Sequence, residues 1–302
     1  MLGLTPYIGR FAPSPTGPLH FGSLVSALAS FLDARANHGK WFVRMEDLGP
    51  PREQAGAAIS ILQCLEDYQL YWDGDVIYQS QRSHIYNDYL AHLAALDLLY
   101  RCDCTRQDLQ AMNGTYNGHC RTRNIDTSQP HALRLKLYDL PKALNKHLSD
   151  ELTFIDLIQG PQTQNLRTQS GDQILKRKDG FFAYQLAVVA DDIEQNISHI
   201  IRGSDLLEVT ARQIFMYRLL DAPTPQFGHV TLATHSTGQK LSKQNMAPAL
   251  KTEEASRNIW HALAFLRQNP PQELYTAATA DLLAWAIAHW RISNIKELSS
   301  PI

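Results

Sequence analysis

Short apolar runs flank a stretch of apolar residues at helical spacing in the first part of the chain. Tyr7-Ile8-Gly9-Arg10-Phe11 is a strand candidate closed by Pro13 and Pro15. A Gly17-Pro18 turn then leads into a helix expected over residues 21–37, with Leu24, Leu28, Phe31 and Leu32 on its inner face. Lys40 to Met45 is the next strand candidate. Strand, Pro/Gly loop, helix, strand is the right-handed crossover of a parallel sheet, and such sheets bind ligands at the loops that follow their strands.

Further along, Pro50-Pro51 suit a helix start, so residues 52–68 read as helical, and an amphipathic pattern predicts another helix over 83–99. From 101 to 178 the text is irregular and more polar, with strand candidates at 132–137 and 152–157. Apolar text returns at 181–190, followed by a strand at 198–201 and a helix at 208–220. From Thr252 onward the pattern is helical, with Ile259, Leu263, Phe265, Leu266, Leu282, Leu283, Trp285, Ile287 and Trp290 as packing positions. The expected organisation is therefore α/β. Residues 1–100 form the first half of the main domain, 101–178 an insertion, 179–250 the second half and 251–302 a helical C-terminal region.

The 302 residues suffice for one main core with appended pieces. No run approaches the roughly 18 apolar residues of a membrane span, and the first residues lack a basic-then-apolar leader. A cytoplasmic protein with no membrane partner is expected, and a monomer is favoured. The net charge of −2 gives no global attraction to polyanions, so any such site must be a local patch. Cys64 sits in an apolar pattern and reads as a small core residue, whereas Cys102, Cys104 and Cys120 cluster and suggest metal.

Two segments carry phosphate chemistry. In Pro13-Ser14-Pro15-Thr16-Gly17-Pro18-Leu19-His20-Phe21-Gly22-Ser23, a Pro/Gly loop lets backbone approach a ligand, and the helix start near Gly22 aims free amides at an anion. His20 can donate to phosphate there; its plainer role is to cap the helix. Lys240-Leu241-Ser242-Lys243-Gln244, after Gly238, offers two ammonium groups on a loop that can close over phosphates and release pyrophosphate; alone it reads as a solvated basic turn. In this order and with this separation, the pair resembles the two signatures of class I aminoacyl-tRNA synthetases. The resemblance implies a Rossmann-like parallel sheet, ATP as substrate accompanied by Mg2+, and catalytic roles for His20, Lys240 and Lys243, with Gly22 also at the ATP. The last position departs from the family pattern, being Gln244 rather than serine or arginine.

Four further stretches resemble the catalytic half of glutamyl-tRNA synthetases: Tyr7 to Gly17, Val43-Arg44-Met45-Glu46-Asp47, Phe182-Ala183-Tyr184-Gln185-Leu186-Ala187 and Ile201-Arg202-Gly203-Ser204-Asp205-Leu206. A glutamate pocket needs cations for two carboxylates and an anion for the ammonium. Arg10 and Arg202 are the candidate carboxylate forks, Glu46 the ammonium partner, Tyr184 a hydrogen-bonding wall, and Ser14 completes the implied set. Arg44 beside Glu46 reads equally as an ordinary surface pair. Gly49 stands where relatives often carry a second aspartate. Only residues 245–302 follow the lysine segment, too few for the usual anticodon-binding region. The chain thus resembles the truncated paralogue of that family, which implies transfer of glutamate to the queuosine base of tRNA(Asp). The alternatives are a truncated enzyme charging a tRNA 3′ end, a nucleotidyltransferase, and a non-catalytic RNA-binding module.

Cys102-x-Cys104 and Tyr116-x-x-x-Cys120 offer three thiolates and a phenol for a tetrahedral Zn2+ with a structural role. Chemistry alone prefers His119 or His131 as the fourth ligand, while the family resemblance favours Tyr116.

Overall fold

The computed structural model describes residues 6–49, 53–112, 114–144, 148–232 and 248–295. Lys240, Lys243 and the segment around them lie outside the described residues.

The first crossover forms as the pattern predicts. Strand β1 (Ile8–Phe11) is followed by helix α1 (Phe21–Ala36) and strand β2 (Lys40–Met45), and the two strands pair in parallel from Ile8 opposite Lys40 to Phe11 opposite Val43. Helix α2 (Ala57–Asp67) leads to the two-residue strand β3 (Ile77–Tyr78), which pairs in parallel with the end of β2. Helix α3 (Ser83–Ala95) then feeds a differently built segment. There β4 (Leu99–Cys102), the short helix α4 (Arg106–Ala111), β5 (Ala132–Leu135), a β6 (Glu151–Asp156) and β7 (Gly160–Asn165) hairpin, and β8 (Gln173–Lys176) follow, and every strand pairing is antiparallel. Parallel text resumes with α5 (Tyr184–Glu194), β9 (His199–Gly203), α6 (Leu207–Leu219) and β10 (Gln226–Val230), the last pairing in parallel with β9. Helices α7 (Ala255–Phe265) and α8 (Thr279–His289) close the chain's described part.

The halves meet at β1 and β9. Ser198 N donates to Ile8 O at 2.9 Å, and the Tyr7 ring stacks on His199 with centroids 3.9 Å apart. The strands therefore start at one edge of the sheet and deliver their carboxyl ends, with Arg10 and Arg202, to the other. One face is covered by α1, α7 and α8, which bury Leu28, Leu32, Ile259, Leu263 and Leu282 against Trp41, Val43 and Met45. The opposite face is covered by α3, α5 and α6, with Leu93, Leu186, Val189, Phe215 and Phe227 in a second core. Helices on both faces of a parallel sheet leave the strand ends as the place for polar groups.

Several expected boundaries move for local reasons. The helix expected over 52–68 starts at Ala57, because Gly56 takes a left-handed conformation (φ 80°) at its N-cap; residues 50–52 lie outside the described part. The helix expected to reach Leu99 stops at Ala95, where Asp97 turns left-handed (φ 54°) and releases the chain into β4. The apolar run at 181–190 is the first part of α5, starting at Tyr184. Among the described residues, no helix is long and apolar enough to cross a membrane.

Candidate active site

At the carboxyl end of the sheet, four charges are buried together. Arg10, on β1, lies with Nε 3.2 Å from Asp192 Oδ1, while Tyr217 OH donates to Asp192 Oδ2 at 3.2 Å. Arg44, on β2, has no exposed surface. Its Nη1 donates to Gln195 Oε1 at 2.8 Å, and its Nη2 lies 2.8 Å from Asp192 Oδ1 at an angle too poor for a hydrogen bond. The expected surface pair of Arg44 with Glu46 is thus replaced by a buried one: Glu46 is a secondary neighbour at 3.8 Å, as is Asp191. Burial pushes the Asp192 carboxyl up, but Arg10 and Arg44 outweigh it and hold it below the usual carboxylate range. Asp191 is fixed separately, accepting from Gln79 Nε2 at 2.8 Å, Arg82 Nε at 2.6 Å and Tyr86 OH at 2.9 Å.

Around this cluster stand the other pocket candidates. Glu46 follows β2, and its backbone N–H donates to Pro13 O at 3.0 Å, tying the strand end to the Pro/Gly loop. Burial pushes its carboxyl up to about 7 against the opposing pull of Arg44 and Arg10, with Asp192 and Asp191 adding to the rise. Tyr184, at the start of α5, is raised by burial and senses Arg202, Glu46 and Arg10, which places these groups in one electrostatic neighbourhood. Arg202 on β9 is buried and well held. Its Nε donates to His229 Nε2 at 3.0 Å, its Nη2 to Thr210 Oγ1 at 2.9 Å and Gln213 Oε1 at 2.8 Å, and its Nη1 faces Tyr184 OH at 3.5 Å. Among the described residues, the Nη1 edge is the most loosely held part of the guanidinium. Ser14 is exposed in the loop, and its carbonyl accepts from Thr16 N at 2.8 Å.

His20 caps α1 through one ring nitrogen. Ser23 N donates to His20 Nδ1 at 3.3 Å, so in the neutral ring the proton sits on Nε2. The α1 terminus presents Gly22 in its first turn with no acidic residue there, leaving its positive end uncompensated by carboxylate. Beyond the lysine segment, the chain returns to this point: Leu250 N donates to Leu19 O at 3.0 Å, and Ala249 bridges His20. The described flank of the second signature therefore lies against the first.

In the insertion, the sulfurs of Cys102, Cys104 and Cys120 lie within 4.8 Å of one another, and all three residues are buried. Tyr116 OH accepts from Cys120 N at 2.8 Å and shares this small core. His119 and His131 are not in the group, and His131 Nδ1 is engaged with Gln129 O at 2.9 Å. Burial and the facing thiols push Cys104 up to about 12, a crowding that a dication relieves by taking the thiolates as ligands. Three thiols and a phenol on one point fit a closed tetrahedral site.

Asp156, Asp191, Asp192, Gln213 and His229 did not stand out in the sequence. Asp191-Asp192 did leave a signal, two adjacent carboxylates inside the apolar run of α5. His229 and Asp156 left none.

The family model for class I tRNA synthetases (E and Q), catalytic domain, matches residues 8–267. A curated relative from Vibrio vulnificus (strain CMCP6), named glutamyl-Q tRNA(Asp) synthetase, is 44% identical over 292 residues, covering 96% of this chain and 92% of the relative. One of the same name from Thiobacillus denitrificans is 50% identical over 294 residues, covering 95% and 94%. A crystal structure of a glutamate tRNA ligase from Elizabethkingia meningosepticum, in complex with its amino acid, shares the fold with a TM-score of 0.79 and 24% identity; this chain spans 66% of its length. The family model and these relatives thus define a class I tRNA synthetase ligase of the E and Q type. Within it, the chain belongs to the glutamyl-Q tRNA(Asp) synthetase family.

Removing one partner from a buried charge cluster leaves the others uncompensated. We expect Arg44→Met to destabilise the fold by about 3–5 kcal/mol. Urea unfolding checks this, and a change below about 1 kcal/mol, the range of an exposed pair, would return Arg44 to the surface-pair reading.

Proposed function

We infer that this protein activates glutamate with ATP as glutamyl-adenylate and transfers it to the queuosine base in the anticodon of tRNA(Asp). The observation that carries this reading is the convergence of Arg10, Glu46, Tyr184 and Arg202 at the sheet's carboxyl end, next to the His20 loop. Arg10 and the Nη1 edge of Arg202 receive the carboxylates, Glu46 the ammonium, and Tyr184 walls the pocket, with Ser14 at its loop. The α-carboxylate oxygen attacks the α-phosphorus of Mg2+-bound ATP; the new P–O bond forms as the bond to pyrophosphate breaks and its electron pair leaves with pyrophosphate. His20 Nε2–H, the α1 amides at Gly22, and Lys240 and Lys243 stabilise charge on the phosphates, where donors matter most in the transition state. A hydroxyl of queuosine then attacks the adenylate carbonyl; the ester C–O bond forms as the acyl bond to AMP breaks, AMP leaves with that electron pair, and the hydroxyl proton passes to the AMP phosphate or to water.

Cys102, Cys104, Cys120 and Tyr116 are proposed to hold a structural zinc ion that pins the loops of the insertion and takes no part in adenylate chemistry. The proposed division keeps residues 1–100 and 179–250 as the catalytic halves, 101–178 as the insertion and 251–302 as the helical C-terminal region, in a cytoplasmic monomer.

Glutamate-dependent exchange of pyrophosphate into ATP tests activation. Labelled glutamate should then pass to queuosine-bearing tRNA(Asp), also after oxidation of its 3′-terminal ribose with the base diol protected, and not to queuosine-free tRNA. Charging of the 3′ end of tRNA(Glu) would instead identify a truncated glutamyl-tRNA synthetase.

The raised Glu46 carboxyl predicts a pH dependence with a definite sign. Pairing with the substrate ammonium needs the carboxylate, which is lost as pH falls through about 7. The KM for glutamate should rise toward tenfold per pH unit below that point and level off above it. Glu46→Gln should raise KM at high pH and abolish the rise at low pH; a variant that keeps the wild-type profile moves the titrating group elsewhere.

Metal analysis of the purified protein should find about one zinc per chain. Cys104→Ser should be strongly depleted. Gly171→Ala should lose zinc too, because Gly171 has a left-handed backbone (φ 65°) and an added Cβ would lie 2.2 Å from Tyr116 O. Full occupancy in Cys104→Ser would show that the ligands are wrongly chosen.

A further inference from the structure

We propose that Asp156 and His229 are positioning residues that set the tautomer of one imidazole and thereby hold Arg202 in the orientation that recognises the glutamate substrate. The inference rests on the glutamate-pocket reading and adds to it two residues that touch no substrate.

The register of the sheet begins the argument. His229 on β10 lies opposite Arg202 on β9, so the two side chains share one face of adjacent strands. Both are buried, as is Asp156. Asp156 Oδ1 accepts from the backbone N–H groups of Ile158 at 3.0 Å, Gln159 at 2.8 Å and His229 at 3.1 Å, which fixes the carboxylate. Its other oxygen, Oδ2, lies 2.5 Å from His229 Nδ1. A carboxylate can only accept, so the ring proton sits on Nδ1. The neutral ring then has its lone pair on Nε2, which accepts from Arg202 Nε at 3.0 Å and also faces Thr210 Oγ1 at 3.1 Å, a hydroxyl that donates its own proton to Leu206 O at 2.9 Å. Burial keeps the imidazole neutral against the pull of Asp156, and an imidazolium would face the guanidinium as a like charge. With Nε held by His229 and Nη2 by Thr210 and Gln213, Arg202 has one rotational setting, in which Nη1 points to Tyr184.

The Asp156→Asn variant is nearly isosteric and tests the tautomer directly. The asparagine carbonyl can keep the backbone bonds, but its amide donates to His229 Nδ1. The ring proton then moves to Nε2 and opposes Arg202 Nε–H donor to donor. We expect the KM for glutamate to rise on the order of tenfold, the loss typical of an unmet hydrogen bond from a charged group, with the KM for ATP little changed. In a His229→Gln background, the glutamine Oε1 accepts from Arg202 whatever stands at position 156, so Asp156→Asn should there change the KM by no more than about twofold. Equal effects in both backgrounds would overturn the proposal and leave Asp156 a support of its hairpin. Nitrogen-15 NMR of histidine-labelled wild-type protein provides a readout independent of any variant's folding: the resonance lost in His229→Gln should report the Nδ1–H form, and an Nε2–H form would refute the relay. The two levels of inference separate through Arg202→Ala. An unchanged glutamate KM there sinks the pocket reading and the relay with it, whereas a raised KM alongside an inert Asp156→Asn overturns the relay alone.

Discussion

Bringing two arginines to the carboxyl end of an apolar sheet costs several kcal/mol of desolvation per charge unless an anion is built in beside them. Asp192 is that anion. Its Oδ1 faces both Arg10 and Arg44, from two different strands, and its carboxylate hangs from a helix of the second half of the domain. The contact therefore joins the halves as well as neutralising them. It also sets how the arginines are held: Arg44 is enclosed by protein partners, while Arg10 meets Asp192 through Nε. Glu46 feels the same cluster from outside. Two cations hold it toward ionisation, two aspartates and burial push it the other way, and the balance puts it near neutrality.

At the start of α1, the His20 imidazole caps the helix through Nδ1, which leaves the proton of the neutral ring on Nε2. The return of the chain at Ala249 and Leu250 to Leu19 and His20 brings segments far apart in sequence together.

Much of this was legible beforehand, and the reasons for the gaps are physical. The parallel crossover through α1, and α6 after its strand, announced themselves because apolar periodicity is strong where a helix packs on a sheet. Strand β7, written Gly-Pro-Gln-Thr-Gln-Asn, is held by its hairpin partner and carries no apolar pattern to read. Strand β10 is short and places Gly228 and His229 in its middle, since a Cβ at 228 would come within 2.8 Å of Ile201 and the histidine serves Arg202. The pocket candidates Arg10, Glu46, Tyr184 and Arg202 came from resemblance, and the fold brings them to one neighbourhood that local spacing does not report. Arg44 was misjudged because a charged pair two residues apart in sequence says nothing about the helix that will cover it. Buried partners such as Asp192 and His229 are defined by contacts across more than a hundred and about thirty residues of chain, a range that local spacing does not report.

The same device recurs wherever distant elements must be joined. Asp172, in the insertion, accepts from Tyr100 OH at 2.5 Å, from Arg121 through Nε and Nη2 at 2.6 Å each, and from Leu137 N at 2.9 Å, while its backbone carbonyl accepts from Arg134. Arg134 in turn lies 3.7 Å over the Tyr116 ring, beside the three cysteines. Asp156 does at the edge of β10 what Asp192 does between β1 and β2. A carboxylate has two oxygens and several lone pairs, so one buried aspartate can order three or four donors from unrelated parts of the chain at once. That multiplicity also makes each position intolerant of loss, because removing one acceptor strands all of its donors together. In this protein the apolar cores build the layers, and the buried aspartates decide how the arginines, the imidazole and the insertion face one another across them.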